Sequence, residues 1–232
     1  MSLLAPVDIY CERLAPGFWA EPVNALSNLA FVVAALVAWR TARRMGVSAP
    51  MLWVLIALAA MIGVGSFLFH TFANGWSEYA DTIPIWSFVA LYVLAAVHFL
   101  GGVAPGRLTV IAVVVAAVAT VVFLASGEGA APVAEAIPDP LNGSQQYAPA
   151  LVALLVFTAV SWRRQLAMRG WITGATLAFM VSLAFRTVDM RVCAGFPLGT
   201  HFIWHLLNAV MIGLLLQALV RGMADRRGPE RA

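Results

Sequence analysis

Long uncharged stretches dominate the chain, and the charged residues between them mark where they end. Eighteen uncharged residues separate Glu21 from Arg40, 33 separate Arg44 from Glu78, and 25 separate Asp81 from Arg107. Further on, 20 lie between Arg107 and Glu128, 23 between Asp139 and Arg163, 16 between Arg169 and Arg186, and 29 between Arg191 and Arg221. A helix needs about 17–25 apolar residues to cross a bilayer, so each of these seven intervals is long enough, or nearly so, for one span. The pattern predicts helices over Val23–Trp39, Met51–Phe69, Ile83–Gly101, Leu108–Leu124, Tyr147–Trp162, Trp171–Phe185 and His201–Leu219. No period-2 alternation runs through them, which argues against a transmembrane β-barrel. Ala49-Pro50, Pro105-Gly106, Pro138, Pro140, Gly195 and Pro197 break the chain between spans. Ser126–Gln146, rich in Pro, Gly and Glu, reads as the longest loop.

Composition narrows the class without moving the spans. Of 232 residues, 62% are hydrophobic and only 11% charged, against about a quarter charged in soluble domains. A water-soluble globule and a disordered chain are excluded on this ground, and two cysteines are too few for a disulfide-dense secreted domain. The N-terminus lacks the order of a signal peptide and reads as mature chain. The expectation is an all-α membrane protein, a seven-transmembrane-helix bundle. It divides into an N-terminal segment (1–22), a helical domain (23–221) and a tail (222–232).

Charge sets the orientation. Eleven of the 14 arginines fall on the C-terminal side of the seven spans; Arg13, Arg186 and Arg191 do not. The positive-inside rule then puts the C-terminus in the cytoplasm and the N-terminus outside. Nine of the 11 acids lie on the outer side or at outer helix ends. The arginine-rich inner face suits anionic lipid head groups, not nucleic acid. An arginine-only, Ala- and Val-rich chain of this kind is expected in a bacterial inner membrane, with its chemistry near the periplasmic side.

That chemistry centres on histidine. His201 and His205 are spaced i, i+4, one turn apart on one helix face. His70 ends the second helix, at the same depth by the topology above. Three histidines with one open position are the layout of a catalytic zinc site; histidines packed against neighbouring backbones are the alternative. His98 lies toward the opposite end of its helix. Ser66 precedes His70 by one turn and faces the same way, either as a polar group of the site or as a small residue for close helix packing. Asp81 opens the third helix, as a base beside a metal, as an N-cap, or as both. Asp8, Glu12 and Glu21, with Asn24 nearby, form an acidic cluster whose hard oxygens suit calcium. Solvated carboxylates or a salt bridge to Arg13 would account for the same cluster. Cys11 and Cys193 both fall on the outer side, which fits one disulfide; two buried free thiols are the alternative. Arg186 and Asp189, three apart, can pair on one helix face. Phe18, Trp19, Trp76 and Tyr79 fit an interfacial aromatic belt.

Four motifs carry a family resemblance over nearly the whole chain. They are Asp8-Ile-Tyr-Cys11-Glu12 followed by Glu21-Pro-Val-Asn24 and Ser27-Asn28; Gly65-Ser66-x-x-x-His70; Asp81-Thr-Ile-Pro84; and His201-Phe-Ile-Trp204-His205. The chain resembles the alkaline ceramidases, within the superfamily of seven-helix membrane hydrolases that includes adiponectin receptors and GPI-anchor remodelling proteins. The resemblance implies a catalytic zinc held by His70, His201 and His205, with Asp81 as general base and Ser66 holding the water or the oxyanion. The implied reaction is hydrolysis of the ceramide amide to a sphingoid base and a fatty acid. It also implies a calcium site from Asp8, Glu12, Glu21 and Asn24, and a Cys11–Cys193 disulfide. Two departures stand out: one more residue lies between Asp8 and Cys11, and Leu14 stands where an Asn ligand is expected. A backbone carbonyl such as that of Ile9 would then supply part of the coordination. A lipid ester hydrolase is the nearest rival, because the same chemistry cleaves esters more easily. A receptor with structural zinc and a transporter are the other classes; clustering of polar groups at one edge, with no internal repeat, argues against transport.

Overall fold

The computed structural model describes residues 3–110, 112–113 and 139–226. Among them the elements are α1 (Pro22–Ser27), α2 (Leu29–Arg44), α3 (Pro50–Phe72), α4 (Gly75–Phe99), a 3-10 turn (Ser144–Tyr147), α5 (Ala148–Arg163), α6 (Arg169–Val192) and α7 (His201–Asp225). The described residues contain no β-strand, only an isolated antiparallel bridge between Pro6 and Asn74. Six helical segments are long and apolar enough to cross a membrane: Pro22–Arg44, Pro50–Phe72, Gly75–Phe99, Ser144–Arg163, Arg169–Val192 and His201–Asp225. Helical backbone resumes at 105 and is described as far as 113. The rest of the expected span Leu108–Leu124 lies outside the described residues.

α7 is the most buried of the six. It packs against α2, α3, α4 and α6, with Ile212, Leu215, Leu216, Ala218, Leu219 and Val220 almost fully covered. α2 approaches it at Ala34, whose Cβ would lie 3.5 Å from a Cβ placed on Gly213; small residues let backbones come close where lipid offers no hydrophobic drive. Hydrogen bonds cross between helices as well: Tyr92 Oη donates to the Leu215 carbonyl at 2.8 Å and Gln217 Nε2 to Thr41 Oγ1 at 3.2 Å. The outward faces are apolar too. Val33, Leu36 and Val37 on α2, Leu155 and Val156 on α5, and Leu177 and Val181 on α6 are all exposed. A belt of that extent is what a bilayer covers.

α4 differs from its expected start. Asn74 caps it, with its side chain accepting from the Ser77 N–H and Ser77 Oγ accepting from the Asn74 N–H. Asp81 therefore lies two turns inside the helix, and is neither its first residue nor its cap. Pro84 sits within the helix, where it leaves the Ala80 carbonyl without its i+4 donor. Gly65 of α3 abuts that carbonyl: a Cβ there would overlap the Ala80 oxygen. Gly65 thus brings α3 and α4 together beside Ser66 and Asp81. Replacing it with alanine forces the two helices apart. Overpacking of this kind costs about 1–3 kcal/mol, so Gly65→Ala is expected to lower the melting temperature in detergent by several degrees. An unchanged melting curve would remove this account of the contact.

The N-terminal segment crosses the ends of the helices on the side where His70 and His201 lie. Val7 N–H donates to the Ala73 carbonyl at 2.8 Å, and the Gly75 and Trp76 N–H groups donate to the Ala5 and Leu3 carbonyls. A disulfide joins Cys11 to Cys193, just beyond α6. α1 and α2 meet at Asn28, where the Ser27 hydroxyl and the Asn28 amide both donate to the Asn24 carbonyl. Side chains competing for a helical carbonyl in this way interrupt the regular ladder.

Candidate metal centre

His201 begins α7, and Asp189 of α6 fixes that start. Its Oδ1 accepts the backbone N–H groups of Thr200 (2.6 Å) and His201 (3.0 Å), satisfying donors that a helix N-terminus leaves free. His205 follows one turn later. His70 sits two residues before the end of α3. Each of the three histidines offers one nitrogen, and all three nitrogens lie within 4.8 Å of one another; all three residues are buried. Among the described residues this is the one group of three or more His, Cys, Asp or Glu side chains so disposed.

The hydrogen bonds around the rings decide what they can bind. His70 Nδ1 lies 2.6 Å from Glu21 Oε2 and so donates its proton to a carboxylate. His205 Nδ1 lies 2.7 Å from Ser27 Oγ. That hydroxyl already donates to the Asn24 carbonyl at 2.7 Å, so it accepts from the imidazole. Both rings then carry a lone pair on Nε2, and these two atoms face each other at 3.1 Å. Facing lone pairs repel unless a cation lies between them. A tetrahedral zinc with bonds of about 2.0–2.1 Å holds its nitrogens about 3.3 Å apart, so the residues fit that ion. Partners on the far nitrogen are the usual means of orienting a metal-binding imidazole. Tyr10 stacks on His201 with 3.7 Å between centroids, and Trp204 lies nearly parallel to it at 5.1 Å. His201 Nδ1 is buried with no hydrogen-bond partner.

Ser66 and Asp81 complete the surroundings. Both are buried, and neither Ser66 Oγ nor Asp81 Oδ1 has a hydrogen-bond partner of good geometry, although the two side chains are near enough to interact with each other. Asp81 is close enough to His70, Ser66 and Arg186 to interact electrostatically with each. A buried polar atom left free costs about 1–3 kcal/mol, which is a reason to expect a polar ligand between these side chains. An apolar cavity of about 430 Å³ runs alongside, lined among others by Phe88, Tyr92, Trp204, Asn208, Ile212 and Leu215. From Trp204 to Leu215 it follows α7 for roughly 16 Å at 1.5 Å per residue. His98 is remote, bonded through Nδ1 to the Val103 carbonyl at the opposite end of α4.

The acidic cluster is arranged otherwise than a calcium site. Glu12 accepts the N–H groups of Val23 (2.7 Å) and Asn24 (2.8 Å) with its two oxygens. Glu21 accepts from Arg13, His70 and Asn24 Nδ2. Asp8 is exposed. Burial raises the Glu12 carboxyl, opposed by the two backbone donors. Burial acts the same way on Glu21, but donation from His70, Arg13 and Asn24 outweighs it and holds that carboxyl below the ordinary glutamate range. Of the side chains expected to ligate calcium, only Asn24 Oδ1 and exposed Asp8 are uncommitted. These residues do not fit a calcium ion while Arg13 stands among them.

Arg186 and Asp189 also part company. Asp189 caps α7, whereas the Arg186 guanidinium lies over the rings of Trp204, Tyr147 and Tyr10 at 5.3, 5.4 and 5.9 Å. No carboxylate among the described residues pairs with Arg186. Sequence reasoning missed the parts of Ser27, Tyr10 and Asp189. Ser27 and Tyr10 stood inside quoted motifs, but nothing in their spacing showed which side chain they would meet.

Three buried histidines from two bilayer-length helices, braced by a carboxylate and a hydroxyl, define a helix bundle with a site that could hold a metal ion. The chain belongs to the Ceramidase family, whose model matches residues 10–230. Among curated proteins no sequence matches it. Membership makes this an integral membrane hydrolase acting on amides, with a lipid as its substrate.

Proposed function

We propose that the protein is a zinc-dependent intramembrane amidohydrolase that cleaves the amide bond of ceramide or a ceramide-like lipid, releasing a fatty acid and a sphingoid base or amine. One observation carries the reading: the Nε2 atoms of His70 and His205 point at each other at 3.1 Å with both Nδ1 positions engaged. His70, His201 and His205 would hold the zinc, which when bound would supply a Lewis acid for the amide carbonyl and a water whose pKa is lowered to about 7. Asp81 removes a proton from the attacking water and delivers it to the departing amine as the carbon–nitrogen bond breaks. The Ser66 hydroxyl donates to the carbonyl oxygen as negative charge grows on it. Glu21 and Ser27 keep their imidazoles in one tautomer and one orientation. The cavity beside Trp204 takes the acyl chain directly from lipid and keeps water from it. In the membrane the N-terminus and the metal centre face outward, on the periplasmic side of a bacterial inner membrane, and the C-terminus is cytoplasmic.

The test is made on protein purified in detergent. About one zinc per chain is expected, with release of fatty acid from ceramide, loss of that activity on chelation and its return with added zinc. Cleavage of an ester analogue but not of the amide would move the protein to the lipid esterases. Bound zinc with neither reaction would make it a receptor or sensor with structural zinc. Hydrolysis that persists in zinc-free protein would end the proposal.

A further inference from the structure

We propose that Arg13 is a built-in cation: its guanidinium stands where the acidic N-terminal segment would otherwise gather calcium, and through Glu21 it positions His70 for metal binding. The second half rests on the zinc reading above; the first does not.

The contacts of Arg13 resemble those of a hard ion. Its Nε meets Glu21 Oε1 at 2.6 Å, Nη2 donates to the His70 carbonyl at 3.1 Å, and Nη1 to the Gly17 carbonyl at 3.4 Å. One carboxylate and two carbonyls are oxygen donors of the kind calcium selects. The Arg13 and Glu21 side chains are 6% and 3% exposed. Such a pair is held by mutual charge, and removing one partner strands the other. Glu21 uses its second oxygen on His70 Nδ1 at 2.6 Å and Asn24 Nδ2 at 3.1 Å. Arg13 therefore grips His70 twice, at its carbonyl and, by way of Glu21, at its ring. It also fixes where α3 ends, because the His70 carbonyl belongs to the last turn. Both oxygens of Glu12 already accept N–H groups at the start of α1. A guanidinium is permanently charged and planar, so the arrangement needs no ion from solution. Arg13 is a positioning residue: it acts on the metal only through Glu21 and His70.

The experiment measures melting temperature and zinc affinity in detergent, the latter by competition with a chromogenic chelator, at a series of calcium concentrations. Wild type is expected to show no change in either quantity with calcium. Arg13→Ala should bind zinc about 10–100-fold more weakly, the usual effect of losing a group that orients a ligand, and calcium should recover part of the loss. Arg13→Lys, which keeps the charge, should stay within a few-fold of wild type. A wild-type melting temperature that climbs saturably with calcium overturns the proposal, as does an Arg13→Ala protein that holds zinc normally or that weakens and ignores calcium. If Arg13→Ala does not fold, the wild-type calcium series decides between the two cations by itself. Wild type devoid of zinc affinity would instead refute the zinc reading, while the melting series still tests the first half.

Discussion

His205→Ala is expected to purify with little zinc and to hydrolyse lipid amide at least about 10³-fold more slowly, the scale on which losing one member of a cooperating set leaves residual activity. The reason lies in the pairing of the two Nε2 atoms. His70 and His205 face each other at 3.1 Å, and truncating either leaves His201 and one imidazole, too few to hold zinc in a site with three protein ligands. The fold should survive. His205 sits beneath α1 and beside Trp204, and its removal opens a small space without breaking a helix. Metal analysis beside circular dichroism checks this. A variant with normal zinc and normal turnover would show that the three histidines do not act together.

Asp81→Asn should separate binding from chemistry. Asparagine keeps the shape of the side chain and lacks a basic oxygen. General-base catalysis contributes about 10²–10⁴-fold, so turnover should fall by that range while zinc content stays at the wild-type level. Among the described residues no imidazole nitrogen is hydrogen-bonded to Asp81; His70 and His205 have Glu21 and Ser27 as their partners. Parallel measurement of zinc and of fatty-acid release distinguishes the outcomes. Loss of zinc along with activity would recast Asp81 as a support of the site, and full activity would remove it from the reaction.

Much of this was legible in the residues, for physical reasons that also explain the rest. Apolar runs between charges located the six described helices that are long and apolar enough to cross a membrane, but the helices run on past them. α6 includes Arg169 and Arg191, and α7 extends to Asp225. Long charged side chains can reach polar surroundings from the last turns of a buried helix, so a charge marks a membrane edge better than it marks a helix end. The i, i+4 pair of His201 and His205 needed only helical geometry, and His70 needed only depth. Asp81 was misplaced because Asp is a favoured cap residue, whereas the cap that starts the helix, Asn74 with Ser77, lies seven residues earlier. The partners of Glu21 and Arg186 depend on how distant segments meet. Glu21 reaches His70 across 49 positions of sequence, and no local pattern encodes that.

The bond between Cys11 and Cys193 spans a sequence separation of 182 residues. Every helix except α7 lies within the ring it closes. A single cut anywhere inside that ring, such as the short turn between α5 and α6, would therefore leave one covalent molecule with both ends still attached to each other. The enzyme is in this sense a closed circle with a tail, and the tail is the helix that carries two of its three imidazoles.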